Sequence, residues 1–395
     1  MKKHIRPLLC LLLCFLLFPA VHTAAAESEV PSAERLKYTL KGISGQSKVL
    51  NDWRQDTGTS VRGGISFSIK AKKPIACLYI IWDAKPRTWT LKADGEKIVC
   101  GKSKFRHEYI ELPHPTKTVT IRLSKGSSIR INEIYAFTEG TLPDWVQVWE
   151  PPAEYADILV VPTHADDEYV FFGGILPTYA GERGLNVQVM YMTDHQKTQR
   201  VRNHELLNGL WLSGVHRYPI INGSQDIYLT SRKAAKRIYR TKFLLAQVRA
   251  IRRCRPLVIV GHDVNGEYGH QAHIQNALFL QKAVTLAADP SFDPDSADKY
   301  GIWETPKLYL HLYGHESDQT VLDYSSPLES FGGKTAFEVA REAFACHKSQ
   351  HVYSFEVYGP GDPYDSSRFG LYRSMVGPDE DKNDLMEHIV PENWR

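Results

Sequence analysis

The sequence has little net charge, few cysteines and no apolar run long enough to cross a membrane. Its 48 Lys and Arg residues against 45 Asp and Glu residues leave a net charge of +3, so nucleic acid is not an expected partner. No internal repeat or low-complexity segment is evident. The 395-residue chain is 43% hydrophobic, which excludes a disordered or fibrous protein and allows one large core or two domains.

The N-terminus has the pattern of a targeting segment. Lys2, Lys3 and Arg6 precede an apolar run over residues 7–18, and small residues follow at 24–26. This pattern predicts a signal peptide over residues 1–26 and a secreted or extracytoplasmic protein. A retained membrane anchor is the alternative, but the run is shorter than the roughly 20 apolar residues that a span needs. We therefore expect no integral membrane span after removal of the signal.

Four cysteines remain outside that segment: Cys77, Cys100, Cys254 and Cys346. An even number suits an oxidising compartment, and Cys77 and Cys100 both lie in the β-rich first half of the chain. The sequence leaves two states open, namely a disulfide between Cys77 and Cys100 or four buried thiols.

The first half of the chain shows short alternating segments separated by turn signals. Strands are predicted over residues 65–69, 77–82, 89–91, 97–99, 118–123 and 129–137. Asp94-Gly95 predicts a hairpin turn. The pattern indicates an all-β sandwich over residues 32–140, with a loose resemblance to galactose-binding-like jelly rolls. A connector over residues 141–156 offers Trp145 and Trp149 for packing between domains.

The pattern changes after the connector. Apolar runs over 158–161, 186–192, 257–260 and 308–312 alternate with helical stretches over 198–212, 232–253 and 272–287. Residues 157–395 are therefore predicted to form an α/β domain with a Rossmann-like, mostly parallel sheet and helices on both faces. In such sheets the functional site lies at the carboxyl ends of the strands.

The first of these strands leads directly into a charged cluster, His164-Ala165-Asp166-Asp167-Glu168. Four ionisable side chains in five residues are costly to hold together without a cation. His164 and Asp167 are three residues apart, so one helical turn would let them grip the same ion. Asp166 then points elsewhere and is free to take a proton.

A third metal ligand is expected after the strand over 257–260. The candidates there are His262, Asp263, Glu267, His270 and His273. Two histidines and one carboxylate with open positions form a hydrolytic zinc site, although the same set also suits non-haem iron. A single histidine after a strand is more often structural, and an acidic cluster can be a solvated helix start. Their joint appearance after strands of one sheet favours a metal site.

The charged cluster and a later segment together resemble the PIG-L (LmbE-like) family of zinc-dependent N-deacetylases. Its signature is His-Pro-Asp-Asp-Glu after the first strand and a later segment like Tyr-Gly-His-Pro-Asp-His. The matching segments here are His164 to Glu168, Tyr268-Gly269-His270-Gln271-Ala272-His273, the pair Arg202 and Glu205, and His347-Lys348-Ser349-Gln350. The resemblance covers residues 157–350 and leaves out the β-rich half.

The resemblance implies a role for each matching residue. His164, Asp167 and His273 would bind zinc, Asp166 would be the general base, and His270 would polarise the substrate or protonate the leaving group. With such parts, water activated by the metal attacks an amide carbonyl while Asp166 accepts its proton.

Three further residues have two interpretations each. Tyr268 is a second donor to the oxyanion or a packed tyrosine. Arg202 hydrogen-bonds sugar hydroxyls or pairs with Glu205. Asp226, in a loop predicted over 222–228, accepts from sugar hydroxyls or simply forms a turn.

The leading hypothesis is an exported enzyme that removes the N-acetyl or another N-acyl group from an N-acetylglucosamine-type sugar in a glycan or glycoconjugate. Two departures from the family pattern, Ala165 for proline and Ala272 for aspartate, motivate a non-catalytic glycan-binding protein with a structural metal. An amidase on a non-sugar amide is a third hypothesis. Asp166 favours an enzyme, because a structural site has no use for a free carboxylate beside the metal. The β-sandwich would dock onto a polysaccharide or shield one side of the α/β domain.

Overall fold

The computed structural model describes residues 31–43 and 47–395, so the predicted signal peptide over 1–26 lies outside the described residues. Two seven-stranded sheets organise the described chain. The first lies within residues 31–137, here called the β region, and the second within residues 157–395, here called the α/β region. Among the described residues no helix is long and apolar enough to cross a membrane.

The sheet of the β region is antiparallel. Its strands are β1 Tyr38–Lys41, β2 Thr59–Val61, β3 Ser66–Trp82, β4 Trp89–Ala93, β5 Glu96–Cys100, β6 His107–Leu123 and β7 Ile129–Phe137. Their order is β2-β7-β3-β6-β4-β5, and β1 pairs with β3. The Asp94-Gly95 turn is confirmed, because both residues have positive φ angles, 44° and 87°, between the paired strands β4 and β5.

The long strand β3 was expected as two strands, over 65–69 and 77–82. It is continuous because β6, which begins at His107 and not at residue 118, pairs with it along most of its length. Successive side chains of β3 alternate between faces, so Leu78 and Ile80 enter the internal core while Cys77 packs on the opposite face. Cys100 belongs to the internal core. The disulfide alternative is therefore wrong, and all four cysteines are free thiols.

The sheet of the α/β region is mostly parallel, as expected. Its strands are β8 Ile158–Val160, β9 Val187–Asp194, β10 Ile220–Gln225, β11 Val258–Gly261, β12 Lys307–His311, β13 Thr320–Val321 and β14 Arg368–Ser374. The order is β10-β9-β8-β11-β12-β14-β13. The first five strands of this order run parallel to one another, and β14 runs antiparallel to both of its neighbours, β12 and β13. Strand β10 includes Asn222 to Gln225, which were assigned to a loop.

Helices cover both faces of this sheet. They are α1 Asp167–Val170, α2 Arg202–Leu212, α3 Arg232–Cys254, α4 Gln271–Leu286, α5 Pro294–Tyr300 and α6 Ala336–Phe344, with a π-helical stretch at Leu176–Glu182. Ile158 and Val160 pack on the face shared with α2 and α6, whereas Leu159 and Val161 pack with α3 and α4. The alternation of these strand residues therefore places apolar side chains in two separate cores.

The connector packs against both regions through its tryptophans, as predicted. The Trp145 ring lies 5.0 Å from that of Tyr135 in the β region, and the Trp149 ring lies 5.4 Å from that of Trp211 in α2. Trp149 is almost fully buried, with 7% of its surface exposed. Burial of these rings stabilises the contact between the two regions.

Residues at the start of β6 also reach the α/β region. Phe105 stacks on Tyr218 with ring centroids 4.4 Å apart and joins the core of the α/β region. His107 Nε2 lies 3.0 Å from Nδ1 of His204 in α2. The β region therefore contacts α2 close to its first residue, Arg202.

Candidate active site

Polar side chains from five parallel strands meet at one edge of the sheet. His164 follows β8, Asp226 follows β10, His195 follows β9, His262 follows β11, and His311 ends β12. The four histidines are buried. Because the carboxyl ends of parallel strands share an edge, residues distant in sequence are brought into contact, as the fold predicted.

Three of the predicted residues converge at this edge, and we call His164, Asp167 and His273 the metal triad. Asp167 Oδ2 lies 3.3 Å from His164 Nδ1 and 3.3 Å from His273 Nε2, and the two ring nitrogens are 3.0 Å apart. Tetrahedral ligands with bonds of about 2.1 Å stand roughly 3.4 Å from one another. The spacing of these three buried atoms therefore fits a divalent metal ion.

Each histidine of the triad has a carboxylate on its other ring nitrogen. Asp226 Oδ1 lies 3.2 Å from His164 Nε2, and Glu267 Oε2 lies 2.8 Å from His273 Nδ1. With a hydrogen on each outer nitrogen donated to its carboxylate, the inner nitrogens would have lone pairs free for an ion. Asp226, which was expected at sugar hydroxyls, thus contacts a triad histidine while also lining the cleft described below.

Glu267 contacts three histidines. The sequence analysis named it only as one of several candidate metal ligands. Besides His273, its carboxylate approaches Nδ1 of His262 at 2.9 Å and Nδ1 of His311 at 3.2 Å. Burial alone would raise the pKa of Glu267, but the charge and hydrogen bond of His262 and the hydrogen bonds of the other two hold it well below its usual value. Glu267 therefore fixes the rings at this edge.

Two overlapping groups of side chains could hold an ion: His164, His270 and His273, and Asp167, His262 and His273. His262 is the weaker ligand candidate, because its Nε2 accepts the backbone N–H of Thr163 at 3.0 Å and its Nδ1 contacts Glu267. His270 has a buried Nδ1 that lacks a hydrogen-bond partner. The available nitrogen atoms are therefore those of the triad histidines and His270.

Asp166 stands outside the triad. Its Oδ1 accepts a hydrogen bond from Arg202 Nη2 at 3.1 Å, and its φ of 125° lies in a region that favours glycine. Such backbone strain is often held at functional sites. Burial raises the pKa of Asp166 to about 6, although the Arg202 guanidinium opposes this shift. A buried carboxylate that is available to exchange a proton thus lies next to the metal triad.

Arg202 hydrogen-bonds to the Asp166 carboxylate and not to that of Glu205. Its Nη2 donates to the backbone oxygen of Ala165 as well as to Asp166. Glu205 instead accepts from the backbone N–H and the hydroxyl of Ser349. Of the two alternatives for Arg202, the pair with Glu205 is therefore wrong, contact with sugar hydroxyls stays a prediction, and Arg202 holds Asp166 in place.

His270 and Tyr268 lie beside the triad. The His270 ring centroid is 4.8 Å from that of His164 and 4.6 Å from that of His273. Burial, and then these two neighbours, lower the pKa of His270 to about 3, so its ring is neutral at pH 7. The adjacent Ala272 supplies no carboxylate that would raise this pKa. Tyr268 is 42% exposed and therefore faces the solvent side of the site.

These groups open into a cleft of about 410 Å³. The side chains that line it are His164, Asp166, Asp167, Val170, Phe171, Arg202, Asp226, Tyr228, Tyr268, His270, Gln350, Tyr353 and Phe355. The volume lies in the range of about 300–1,000 Å³ that is usual for small-molecule sites. Seven of the eight site residues predicted from the sequence line this cleft, and the eighth, His273, lies in contact with it through His164.

Converging ligand atoms, histidines held by carboxylates and a separate acid define a candidate divalent-metal centre. Residues 159–284 match the family model described as PIG-L: GlcNAc-PI de-N-acetylase. This stretch is a PIG-L family domain, so the resemblance based on the two motifs is confirmed.

Curated relatives are named as sugar deacetylases. The 1D-myo-inositol 2-acetamido-2-deoxy-alpha-D-glucopyranoside deacetylase 1 of Catenulispora acidiphila is 28% identical over 185 residues, 40% of this chain and 56% of that protein. A relative of the same kind from Geodermatophilus obscurus is 45% identical over 62 residues, 16% of this chain and 20% of that protein. The chain therefore spans little more than half of the first relative.

Among solved structures, N,N'-diacetylchitobiose deacetylase from Pyrococcus horikoshii, complexed with its inhibitor MPG, is 20% identical with a TM-score of 0.37. The match covers 49% of this chain and 71% of that chain.

Proposed function

We propose that this protein is an exported, metal-dependent hydrolase that removes the N-acetyl group from an N-acetylglucosamine-type sugar. One observation carries the proposal: His164 and Asp167 of the metal triad line the same cleft as the Asp166 carboxylate, and His273 Nε2 lies 3.0 Å from His164 Nδ1. The family domain and the named activities of the relatives support an N-acetylated sugar as substrate. The signal-like N-terminus is the basis for proposing export.

The residues divide into those that hold the ion and those that move protons. Zinc is the proposed ion, and the two imidazoles and one carboxylate of the triad are donors that it favours, although Fe²⁺ suits the same set. When bound, such an ion polarises the amide carbonyl and lowers the pKa of water to about 7.

Asp166 accepts a proton from the attacking water as the water oxygen bonds to the acyl carbon, and it returns this proton to the nitrogen as the C–N bond breaks. Arg202 keeps the Asp166 carboxylate oriented for this step. Neutral His270, beside the triad, donates a hydrogen bond to the carbonyl oxygen or to the departing nitrogen. The products are acetate and a free amino sugar.

Two other hypotheses make different use of the same cleft. A glycan-binding protein with a structural metal would gain nothing from a strained, buried carboxylate held beside the triad, and Asp166 has that character. An amidase on a non-sugar amide would use the same groups on another acyl donor. The substrate assay below separates both hypotheses from the proposal.

The proposal is tested by loading the protein with zinc and measuring acetate release from N-acetylglucosamine and its oligomers. Asp166→Asn keeps the size of the side chain and removes its basicity, so we expect kcat to fall by about 10²- to 10⁴-fold. The matched control is Asp263→Asn, which alters a carboxylate that follows β11 but lies outside the cleft lining.

Metal content and thermal stability are measured on each variant, so that loss of activity is not confused with loss of metal or of fold. Full activity in the Asp166→Asn protein would remove Asp166 from the mechanism. Release of acetate or ammonia only from non-sugar amides would favour the amidase hypothesis. Glycan binding with no turnover of any substrate would favour the binding protein.

A further inference from the structure

Aromatic side chains surround the mouth of the cleft. Tyr228 follows β10, Tyr268 precedes α4, and Tyr353 and Phe355 follow the short 3₁₀ turn at Lys348–Gln350. Tyr228 and Tyr353 are 78% and 59% exposed, the two largest values for any Tyr, Trp or Phe among the described residues. Exposed aromatic surface that is concentrated at a cleft indicates a ligand-binding surface.

The rings form a continuous series that starts beside the metal triad. The rings of Tyr228 and Tyr268 lie 5.9 Å and 5.7 Å from that of His270. Phe355 lies 5.4 Å from Tyr268, and Tyr353 lies 6.2 Å from Phe355. The series therefore extends from His270 to solvent in two directions, past Tyr228 and past Tyr353.

The charge of the cleft limits the kind of ligand that fits. Three carboxylates line it, those of Asp166, Asp167 and Asp226. Arg202 is the one Lys or Arg side chain among the described residues that line the cleft, and its guanidinium is bonded to Asp166. A divalent ion in the triad and the Arg202 guanidinium would together balance these three carboxylates, so a phosphate-bearing ligand would find neither a free Lys or Arg side chain nor an excess of positive charge there. The cleft therefore favours an uncharged ligand.

Sugar rings match an exposed tyrosine well. A pyranose presents a flat array of C–H groups on one face, which packs on an aromatic ring, while its hydroxyls at the edge stay hydrated. Tyr228 and Tyr353 thus offer two surfaces beyond the enclosed part of the cleft where neighbouring sugar residues can rest.

We infer that Tyr228 and Tyr353 are aromatic subsites for the sugar residues that flank the N-acetylated residue, so the substrate is an uncharged glycan chain. This inference rests on the proposed function and adds to it the length and charge of the substrate. A free monosaccharide would leave both rings uncovered, and a phosphorylated glycolipid headgroup would find no free Lys or Arg side chain among the described residues of the cleft.

The test compares KM and kcat for N-acetylglucosamine and its β-1,4-linked tetramer in the zinc-loaded protein and in Tyr228→Ala and Tyr353→Ala. We expect the wild-type KM to be lower for the tetramer. Each Ala variant should raise the KM for the tetramer by about three- to ten-fold relative to that for the monomer, the range expected for loss of one aromatic contact. Tyr228→Phe keeps the ring and should preserve the preference for the tetramer.

Tyr372→Ala is the matched control, because Tyr372 is an exposed tyrosine on β14 that lies outside the cleft lining. It should leave the ratio of the two KM values unchanged. Equal KM values for monomer and tetramer in the wild type, or equal effects of the Ala variants on both substrates, would overturn the inference. A higher kcat/KM for N-acetylglucosamine 1-phosphate than for N-acetylglucosamine would contradict the inference that the substrate is uncharged.

Failure of the proposed function gives a different result, namely no acetate from any N-acetylated sugar. In that case the affinity of the wild type and of Tyr228→Ala for the tetramer, measured by calorimetry, tests the aromatic subsites independently of catalysis. Binding that weakens in the variant supports them, and absence of binding to the wild type overturns them.

Discussion

Among the described residues, two buried clusters of histidines differ in their partners. The metal triad and its neighbours lie among carboxylates, whereas His107 and His204, at the contact between the β and α/β regions, have no carboxylate partner and lie near the Arg106 guanidinium. His107 Nδ1 is 2.6 Å from Gln147 Oε1 and 3.0 Å from the Tyr79 hydroxyl. We call Tyr79, His107, Gln147 and His204 the interface cluster.

The partners decide the charge that each cluster can hold. Burial lowers the pKa of His107 to about 3, and no carboxylate opposes it. Burial acts in the same direction on His164, but Asp226 and Asp167 reverse it and raise its pKa to about 9. A set of imidazoles that attracts a proton so strongly also attracts a metal cation. Tyr79 and Gln147 of the interface cluster line a separate cavity of about 680 Å³, but the cluster has no carboxylate that would help to hold a cation.

The largest expected effect comes from removing a ligand of the triad. His273→Ala deletes one of the three converging atoms, so we expect the bound zinc to be lost and kcat/KM to fall by roughly a thousand-fold or more. Elemental analysis of the purified variant measures the metal content. His204→Ala, at the interface cluster, is the paired control and should retain the metal. One equivalent of tightly bound zinc in the His273→Ala protein would show that His273 is not a ligand.

A smaller effect is expected when the carboxylate that orients the histidines is neutralised. Glu267→Gln keeps the shape of the side chain but weakens its contacts with His262, His273 and His311, so zinc affinity should fall by about 10- to 100-fold. Competition with a chelator of known affinity measures the change. Unchanged affinity would mean that the buried position of the rings, and not Glu267, fixes their orientation.

The smallest expected effect is a change in the pH dependence of stability, caused by protonation of His107 in the interface cluster. The unfolded chain protonates His107 near pH 6.5, whereas the folded protein does so only near pH 3, so this residue makes stability fall as the pH falls through that window. Between pH 7 and pH 5 the loss is about 2 kcal/mol. His107→Gln removes the titrating group, and urea unfolding at both pH values should show a smaller difference than in the wild type. An identical difference would contradict the assignment of a neutral, buried His107.

Sequence patterns predicted those parts of the site that depend on local spacing. His164 and Asp167 were expected to share one helical turn; their ligand atoms do lie 3.3 Å apart, but α1 begins only at Asp167 and Asp166 has a non-helical φ of 125°. The parallel strands placed His164 and the segment from Glu267 to His273 at one edge. The family resemblance then selected His273 from several candidates. These inferences needed only helical periodicity and the rule that parallel strands end together.

Contacts across many residues could not be predicted in this way. Asp226 meets His164 from 62 positions away, and His311 meets Glu267 from 44 positions away, because strand order in the sheet sets both contacts. Strand β10 was assigned in part to a loop, whereas its pairing with β9 resumes at Ser224 and Gln225 after an irregularity between Ile221 and Ser224. The short strands β1 and β2 offered too few residues for an alternating pattern to be visible.

The first turn of α2 contacts both the cleft and the β region. Arg202 bonds to Asp166 in the cleft, and two residues later His204 meets His107 of the β region. Any shift of the β region against the rest of the molecule would therefore act on the guanidinium that orients the proposed base, through less than one turn of helix. Removal of the β region would take away the His107 partner of His204, less than one helical turn from the arginine that positions the proposed base.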